Sequence, residues 1–268
     1  MMFNEPFGTL FAEDVPYYEI KPEYKKEYWE IGFGLQKIDG LEPSQYLVKL
    51  AEKQVAGEIT HQELMQYLTE YHAKDSKLGE SEEADFTSAR IAELLSENSF
   101  HLSPPMLLHY HQKIFTGIKS FIYPVGAFRT INMGKKESVL GGTSVEYAPA
   151  AIISSTLNFA FEREQEHSYK GLTKEQMAHR IMKFISTVWH VHPFREGNTR
   201  TVSTFAIKYL RSFGFDIDNE PFKNHAKFLR DALVLDNAPS PEQKTDQYLR
   251  MFTENAVLGG KNELVIKG

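Results

Sequence analysis

Residues 190–201 read HVHPFREGNTRT: a histidine–proline pair beside an aromatic ring, then an acid, a glycine, an asparagine and an arginine in close succession. Both flanks carry a helical period. Upstream, TKEQMAHRIMKFISTVWH sets Met177, Ile181, Ile185 and Val188 on one face. Pro193 ends that run, because proline disfavours helix at the residue before it. Downstream, RTVSTFAIKYLRSF restarts the pattern with Val202, Phe205, Tyr209 and Phe213. The stretch is therefore predicted to be a loop between two buried helices, with Gly197, Asn198, Thr199 and Arg200 at the N-terminus of the second.

Free backbone N–H groups and the positive end of the helix dipole suit such a turn to an anion. Gly197 allows close backbone approach, and the Arg200 guanidinium can fork onto phosphate oxygens. An acid beside phosphates points to a hard divalent cation, so Glu196 is the candidate ligand for magnesium, with waters completing the shell. His192 has an ordinary pKa of about 6.5 and suits proton transfer near neutrality. A base, a metal ligand and a phosphate cradle together describe nucleotide transfer to a hydroxyl.

The rest of the composition narrows the class. Hydrophobic residues make up 41% of the 268 and charged residues 25%, the balance of a globular protein able to bury a sizeable core. With 36 acidic against 30 basic side chains there is no bulk attraction to nucleic acid or anionic membrane, and neither is an expected partner. Cysteine is absent, which excludes disulfides, thiolate nucleophiles and cysteine-ligated metals. The N-terminal MMFNEPFGTLFAEDVPYYEI has no basic region before an apolar run, and no apolar run approaches the roughly 18 residues of a membrane span. The simplest location is the cytoplasm.

Three helices are predicted between Pro22 and His72. The first carries Tyr24, Tyr28, Ile31, Leu35 and Ile38 and is stopped by Gly40; the second follows Pro43–Ser44 and stops at Gly57; the third opens on a Thr60–Glu63 capping box. AKDSKLGESEEAD, residues 73–85, is polar and unpatterned and reads as a linker or mobile loop. The domain organisation that follows is an extension over 1–22, a helical unit over 23–72, a linker over 73–85, and a main domain over 86–268. Within the main domain, residues 120–150 change character, and Gly141–Gly142 between short β-prone runs reads as a two-residue hairpin turn. Helical pattern returns from about Ala150.

The 192–203 stretch resembles the Fic family motif, H-P-F-x-[D/E]-G-N-G-R-x-x-R, matching it at His192, Pro193, Phe194, Glu196, Gly197, Asn198 and Arg200. YPVGAFR looks like the family's segment ahead of its target-docking flap, and with the flanking helices the resemblance spans roughly residues 86–235. It implies a mostly α fold: a helical Fic core with one β-hairpin flap. It implies transfer of AMP from ATP to a Ser, Thr or Tyr hydroxyl of a protein target. His192 would be the general base and Glu196 the magnesium ligand. Asn198, Thr199 and Arg200 would lie on the phosphates, with Gly197 lending backbone N–H groups. Leu140, Gly141, Gly142 and Thr143 would form the docking flap. Family members often pair, so a homodimer is a candidate state. Two positions depart from the pattern: Thr199 replaces a second glycine and Ser203 replaces the last arginine, which removes a charge from the terminal phosphate. Another nucleotide donor, the reverse hydrolysis, or nucleotide binding without turnover are the alternatives.

The N-terminal helices resemble the small antitoxin of the VbhA type, here joined to its partner in one chain. The family's inhibitory signature, [S/T]-x-x-x-E-[G/N], places a glutamate against the motif's last arginine. Leu35 to Gly40 stand at the corresponding place, so Asp39 and Gly40 are the candidate inhibitory residues, with an acid one methylene shorter and its usual partner missing. Contact with Arg200 or the metal then requires a closer helix. Ser88 to Glu93 superficially repeats the signature one position late, and Glu93 reads as a surface charge. His190–His192 and His109–His111 read as unrelated histidines, Trp189 as core, and Arg129 as a brace that orients the hairpin through backbone carbonyls.

Overall fold

The computed structural model describes residues 22–74 and 79–266, so the N-terminal extension lies outside the described residues. α1 (Pro22–Gln36) passes into a single 3-10 turn at Lys37–Asp39, closed by Gly40 in left-handed backbone (φ 71°) where a side chain would be strained. α2 (Gln45–Val55) is capped by Ser44, whose Oγ accepts the Leu47 amide at 3.1 Å. α3 (His61–Lys74) opens on the expected capping box: the Glu63 amide donates to Thr60 Oγ1 at 3.2 Å and the Thr60 amide to Glu63 Oε2 at 2.8 Å.

Residues 73–74 and 79–85 are helical, not the linker their polarity suggested. α3 runs to Lys74, and α4 (Gly79–Ser96) is helical across the remainder, residues 75–78 lying outside the described chain. Two acids of this stretch have partners elsewhere in the fold. Asp85, fully buried, accepts the Ser44 amide and hydroxyl at 2.7 Å each and meets His72 Nε2 at 2.9 Å. Glu82 accepts the Ser120 amide at 3.1 Å. One carboxylate therefore ties the start of α2 and the end of α3 to α4, and a charge run that looked solvated is an internal junction.

α5 (Pro104–Phe115) begins at the Ser103 cap. A hairpin follows, of β1 (Gly134–Lys136) and β2 (Ser144–Glu146), antiparallel with Gly134 opposite Glu146 and Lys136 opposite Ser144. Its connection is not a two-residue turn. Residues 137–143 lie between the strands, with a 3-10 turn at Ser138–Leu140, and Gly141 and Gly142 (φ 63° and 88°) bring the chain back. The buried side chain of Leu140 draws the loop onto the core, which a tight turn could not do.

α6 (Ile153–Gln165), α7 (Lys174–Val191), α8 (Asn198–Ser212), α9 (Glu220–Asn224), α10 (Ala226–Asp236) and α11 (Gln247–Val257) complete the helical body. α8 is the most enclosed, with every residue from Asn198 to Leu210 buried, and α4, α5 and α7 pack on it. The motif loop joins α7 to α8 and so sits at the end of the core's central pair. No helix among the described residues is long and apolar enough to cross a membrane.

α1 is seated directly on this body, across α4 and α9. Two glycines permit the close approach: a Cβ on Gly32 would lie 2.8 Å from the Ser88 carbonyl oxygen, and one on Gly34 only 2.2 Å from that of Phe222. Glu30 adds an ion pair to Lys223 at 2.9 Å. The front helix is therefore held by backbone-to-backbone contact. Gly34→Ala is expected to lower stability by about 1–3 kcal/mol through overpacking. A loosely seated helix would instead gain about 1 kcal/mol from alanine's propensity, and the urea unfolding midpoint separates the two.

Candidate active site

The loop from His192 to Gly197 is shaped by its own polar side chains. Asn198 closes it: its Oδ1 accepts the Phe194 amide and its Nδ2 donates to the Phe194 carbonyl, both at 2.9 Å. Gly197 takes left-handed backbone (φ 76°), and a Cβ there would sit 2.4 Å from the Phe115 ring. Beneath the loop, His111 stacks on Phe194 at 3.8 Å between centroids and 11° between planes. Its Nδ1 accepts the Gly126 amide at 2.9 Å, which leaves Nε2 as the donor to the Glu196 carbonyl at 3.1 Å. Burial pushes the His111 pKa down to about 4, so it stays neutral in this role. His111 is thus a scaffold of the motif, not an unrelated histidine. Nothing in the spacing of HYH could have shown it, because its partners lie 15 and 85 residues away.

Thr199 does not crowd the turn. It has helical backbone within α8, and its Oγ1 accepts the Trp189 indole N–H at 3.0 Å, pointing into the core. Ser203 is buried as well, with its Oγ unpaired. Glu196 is half-buried, and its Oε1 accepts the amide of the following Gly197 at 3.0 Å. It is one carboxylate beside a helix N-terminus, which fits magnesium, an ion that takes one or two carboxylates and completes its shell with phosphate and water.

Arg129 confirms its expected role. The buried guanidinium donates to the carbonyls of His192 (2.7 Å), Ile131 (2.6 Å), Val191 (3.3 Å) and Ala148, joining both strand ends of the hairpin region to the end of α7. His190 Nε2 adds a contact to the Glu146 carbonyl at 3.1 Å.

His192 ends α7 in left-handed backbone (φ 51°), alone in positive φ among the described non-glycine residues. Its pKa is not the ordinary one. Burial, then the charges of Arg129 and Lys135, push it down to about 3, and Arg230 adds to this; the Trp189 backbone carbonyl beside the ring, which favours the protonated form, opposes the shift. The imidazole is therefore neutral, able to accept a proton, far below pH 6.5.

Arg200 is where the front unit meets the motif. It is 1% exposed and lies over the Phe115 ring at 4.8 Å. Its Nε is 2.9 Å from Asp39 Oδ2, its Nη1 donates to Gln36 Oε1 at 3.2 Å, and its Nη2 donates to Glu83 Oε1 at 2.7 Å. The Asp39 approach is close but too poorly aligned for a hydrogen bond, whereas the Glu83 contact is aligned. Asp39 thus reaches Arg200 despite its short side chain, and Gly40 contributes only the turn that presents it. Glu83 and Gln36 are the residues that sequence reasoning missed. Glu83 lay in the supposed linker, where a helical period across 79–85 would have been the only signal. Glu93 is a half-buried charge that pairs with His61 at 3.3 Å and Lys113 at 3.1 Å.

Of the candidate flap residues, Leu140 is buried and Gly141, Gly142 and Thr143 are exposed. The hairpin touches the motif through Glu146 and Tyr147 instead, Tyr147 stacking on His192.

Residues 101–210 match the Fic/DOC family, so the chain contains a Fic/DOC family domain. No curated protein matches the sequence. Among solved structures, a Fic domain containing signalling protein from Bacteroides thetaiotaomicron is similar over 89% of this chain and 86% of its own, with a TM-score of 0.57 and 15% identity. BepC, a VirB-translocated effector protein from Bartonella tribocorum solved with bound AMPPNP, is similar over 69% of this chain and 89% of its own, with a TM-score of 0.52 and 18% identity. The Fic domain of a putative cell filamentation protein from Bartonella quintana gives a TM-score of 0.52 at 18% identity, over 69% of this chain and 84% of its own. These likenesses establish the Fic fold, and the first extends beyond the residues of the family match.

The hairpin's attachment gives a direct test. Arg129→Met would leave four carbonyls without their donor, and a loss on the order of 3 kcal/mol is expected from unsatisfied buried acceptors. Thermal unfolding, with amide exchange of residues 131–148, would register both the loss and the release of the hairpin.

Proposed function

We propose that this chain is a cytoplasmic protein adenylyltransferase, held back by its own N-terminal helices acting as an antitoxin-like unit over residues 23–72. The observation that carries this reading is the capture of Arg200 by Asp39 and Glu83 at the mouth of a motif that otherwise has the parts for the reaction. The AMPPNP bound to BepC supports ATP as the donor.

In the reaction, the hydroxyl oxygen of a target Ser, Thr or Tyr attacks the α-phosphorus of ATP. The new P–O ester forms as the bond to the β-phosphate oxygen breaks, and pyrophosphate leaves. His192 accepts the hydroxyl proton. The Gly197 turn and the N-terminus of α8 receive phosphate oxygens, and Arg200, once released, supplies a fork of donors. Glu196 would hold magnesium, which neutralises phosphate charge when the nucleotide is bound. Positioning and electrostatics supply most of the rate in transfers of this kind. The exposed loop at Gly141–Thr143 would meet the target.

In the captured state Arg200 is unavailable. A hydrogen bond to a charged group contributes about 1.5–3 kcal/mol, so the aligned Glu83 bond is the stronger brace and the misaligned Asp39 contact the weaker. Losing Asp39 alone leaves Glu83 and Gln36 in place. With label supplied on the α-phosphate of ATP, Asp39→Gly is expected to raise incorporation by up to about tenfold, since about 1.4 kcal/mol corresponds to a factor of ten. Adding Glu83→Gln should raise it further, and His192→Ala in either background should abolish it. Equal label with and without both acids would remove the brake from this reading. Label that persists in His192→Ala would remove the base.

The pH profile tests the base separately. A general base works unprotonated, and a lowered pKa keeps it unprotonated as pH falls. With His192 at about 3, the initial rate of the Asp39→Gly variant should show no loss between pH 8 and about 5 from this group. A falling limb centred near 6.5 would mean that the working imidazole is solvated.

A further inference from the structure

Tyr147 follows β2 directly, and its amide still extends the ladder, donating to the Met133 carbonyl at 3.2 Å. Its side chain turns away from the hairpin and is buried against the motif. The phenol ring lies face to face with the His192 imidazole, at 3.7 Å between centroids and 6° between planes. Trp189 closes the pair from the side, edge-on to Tyr147 at 87° and to His192 at 89°.

A catalytic histidine is ordinarily oriented by a hydrogen bond to the ring nitrogen that does not take the proton, from a carboxylate or carbonyl. Here Nδ1 is buried without a well-formed hydrogen bond. The Trp189 carbonyl near the ring already accepts the His192 amide at 3.0 Å. Among the described residues no carboxylate pairs with the ring. Of the charges around it, Arg129 is engaged with carbonyls, Arg230 with Glu137 at 2.6 Å, and Lys135 lies on the opposite strand. The Tyr147 hydroxyl is itself buried and unpaired, so the phenol acts on the histidine through its ring face and not through its oxygen.

We propose that Tyr147 is a positioning residue that fixes the plane of the His192 imidazole by stacking, in place of an orienting hydrogen bond. The consequence is mechanical. The residue that holds the base belongs to the hairpin whose loop faces a target, so a displacement of the hairpin by the target displaces the base with it. The proposal rests on His192 acting as the base.

The experiment compares Tyr147→Phe, Tyr147→Leu and Tyr147→Ala in the full chain carrying Asp39→Gly, reading kcat, KM for ATP and the ring titration of His192 by NMR. Phe keeps the face and is expected to match the parent in all three. Leu and Ala lose it, and kcat should fall on the order of 100-fold from misplacement of the base. KM for ATP should stay within about twofold, because the nucleotide contacts are untouched. His192 should titrate at a higher pH in both as water reaches the ring. Leu preserves apolar volume and guards against a variant that fails to fold. An undiminished kcat in Leu, or a Phe variant as impaired as Ala, would overturn the proposal. If no variant labels any protein, the adenylyltransferase reading has failed, and the titration alone decides: an unchanged His192 in Leu overturns the stacking role.

Discussion

The Arg200 guanidinium is a buried charge that needs partners, and the front half of the molecule is arranged around supplying them. Its guanidinium lies on the Phe115 ring and is met by three oxygens, from Asp39 after α1, Gln36 at the end of α1 and Glu83 on α4. A buried charge stripped of its partners costs several kcal/mol, so these elements are not free to drift. The seat of α1 serves the same end. Gly32 and Gly34 let its backbone touch α4 and α9, which brings the short aspartate within 2.9 Å. A shorter acid works because the helix sits closer.

The motif loop is built differently, from neutral polar groups that spend their hydrogen-bonding capacity on the loop itself. Asn198 closes it, His111 supports it from below, and Thr199 ties α8 to the Trp189 indole. Residues that a family pattern would assign to phosphate thus have a prior occupation as scaffold. What remains open to a ligand is the backbone of the turn, the Glu196 carboxylate and, once freed, Arg200. The left-handed backbone at His192 persists because Arg129 and the hairpin fix the carbonyls of Val191 and His192.

The hairpin is therefore part of the site and not an appendage. It is anchored at its base by Arg129, at its loop by buried Leu140, and through Tyr147 to the His192 ring. Its strands alone, three residues each, could not hold a register in water.

The order of helices, their caps at Ser44 and Thr60, and the loop between α7 and α8 were legible in the chain, because apolar period, capping residues and Pro193 act over a few positions. The roles of His192, Glu196 and Gly197 could be argued from the motif. Asp39 was legible as a candidate through resemblance, with Arg200 as a possible contact. What the tertiary structure decided were the long-range pairings: Glu83 and Gln36 on Arg200, His111 on the Glu196 carbonyl, Asp85 on Ser44 and His72, Tyr147 on His192. In each, partners lie tens of residues apart, and a polar side chain looks the same in sequence whether water or a buried charge awaits it. Burial also moved His192 from a titrating group to a neutral one. Local periodicity writes the helices; which polar groups end up facing each other is settled only when those helices pack.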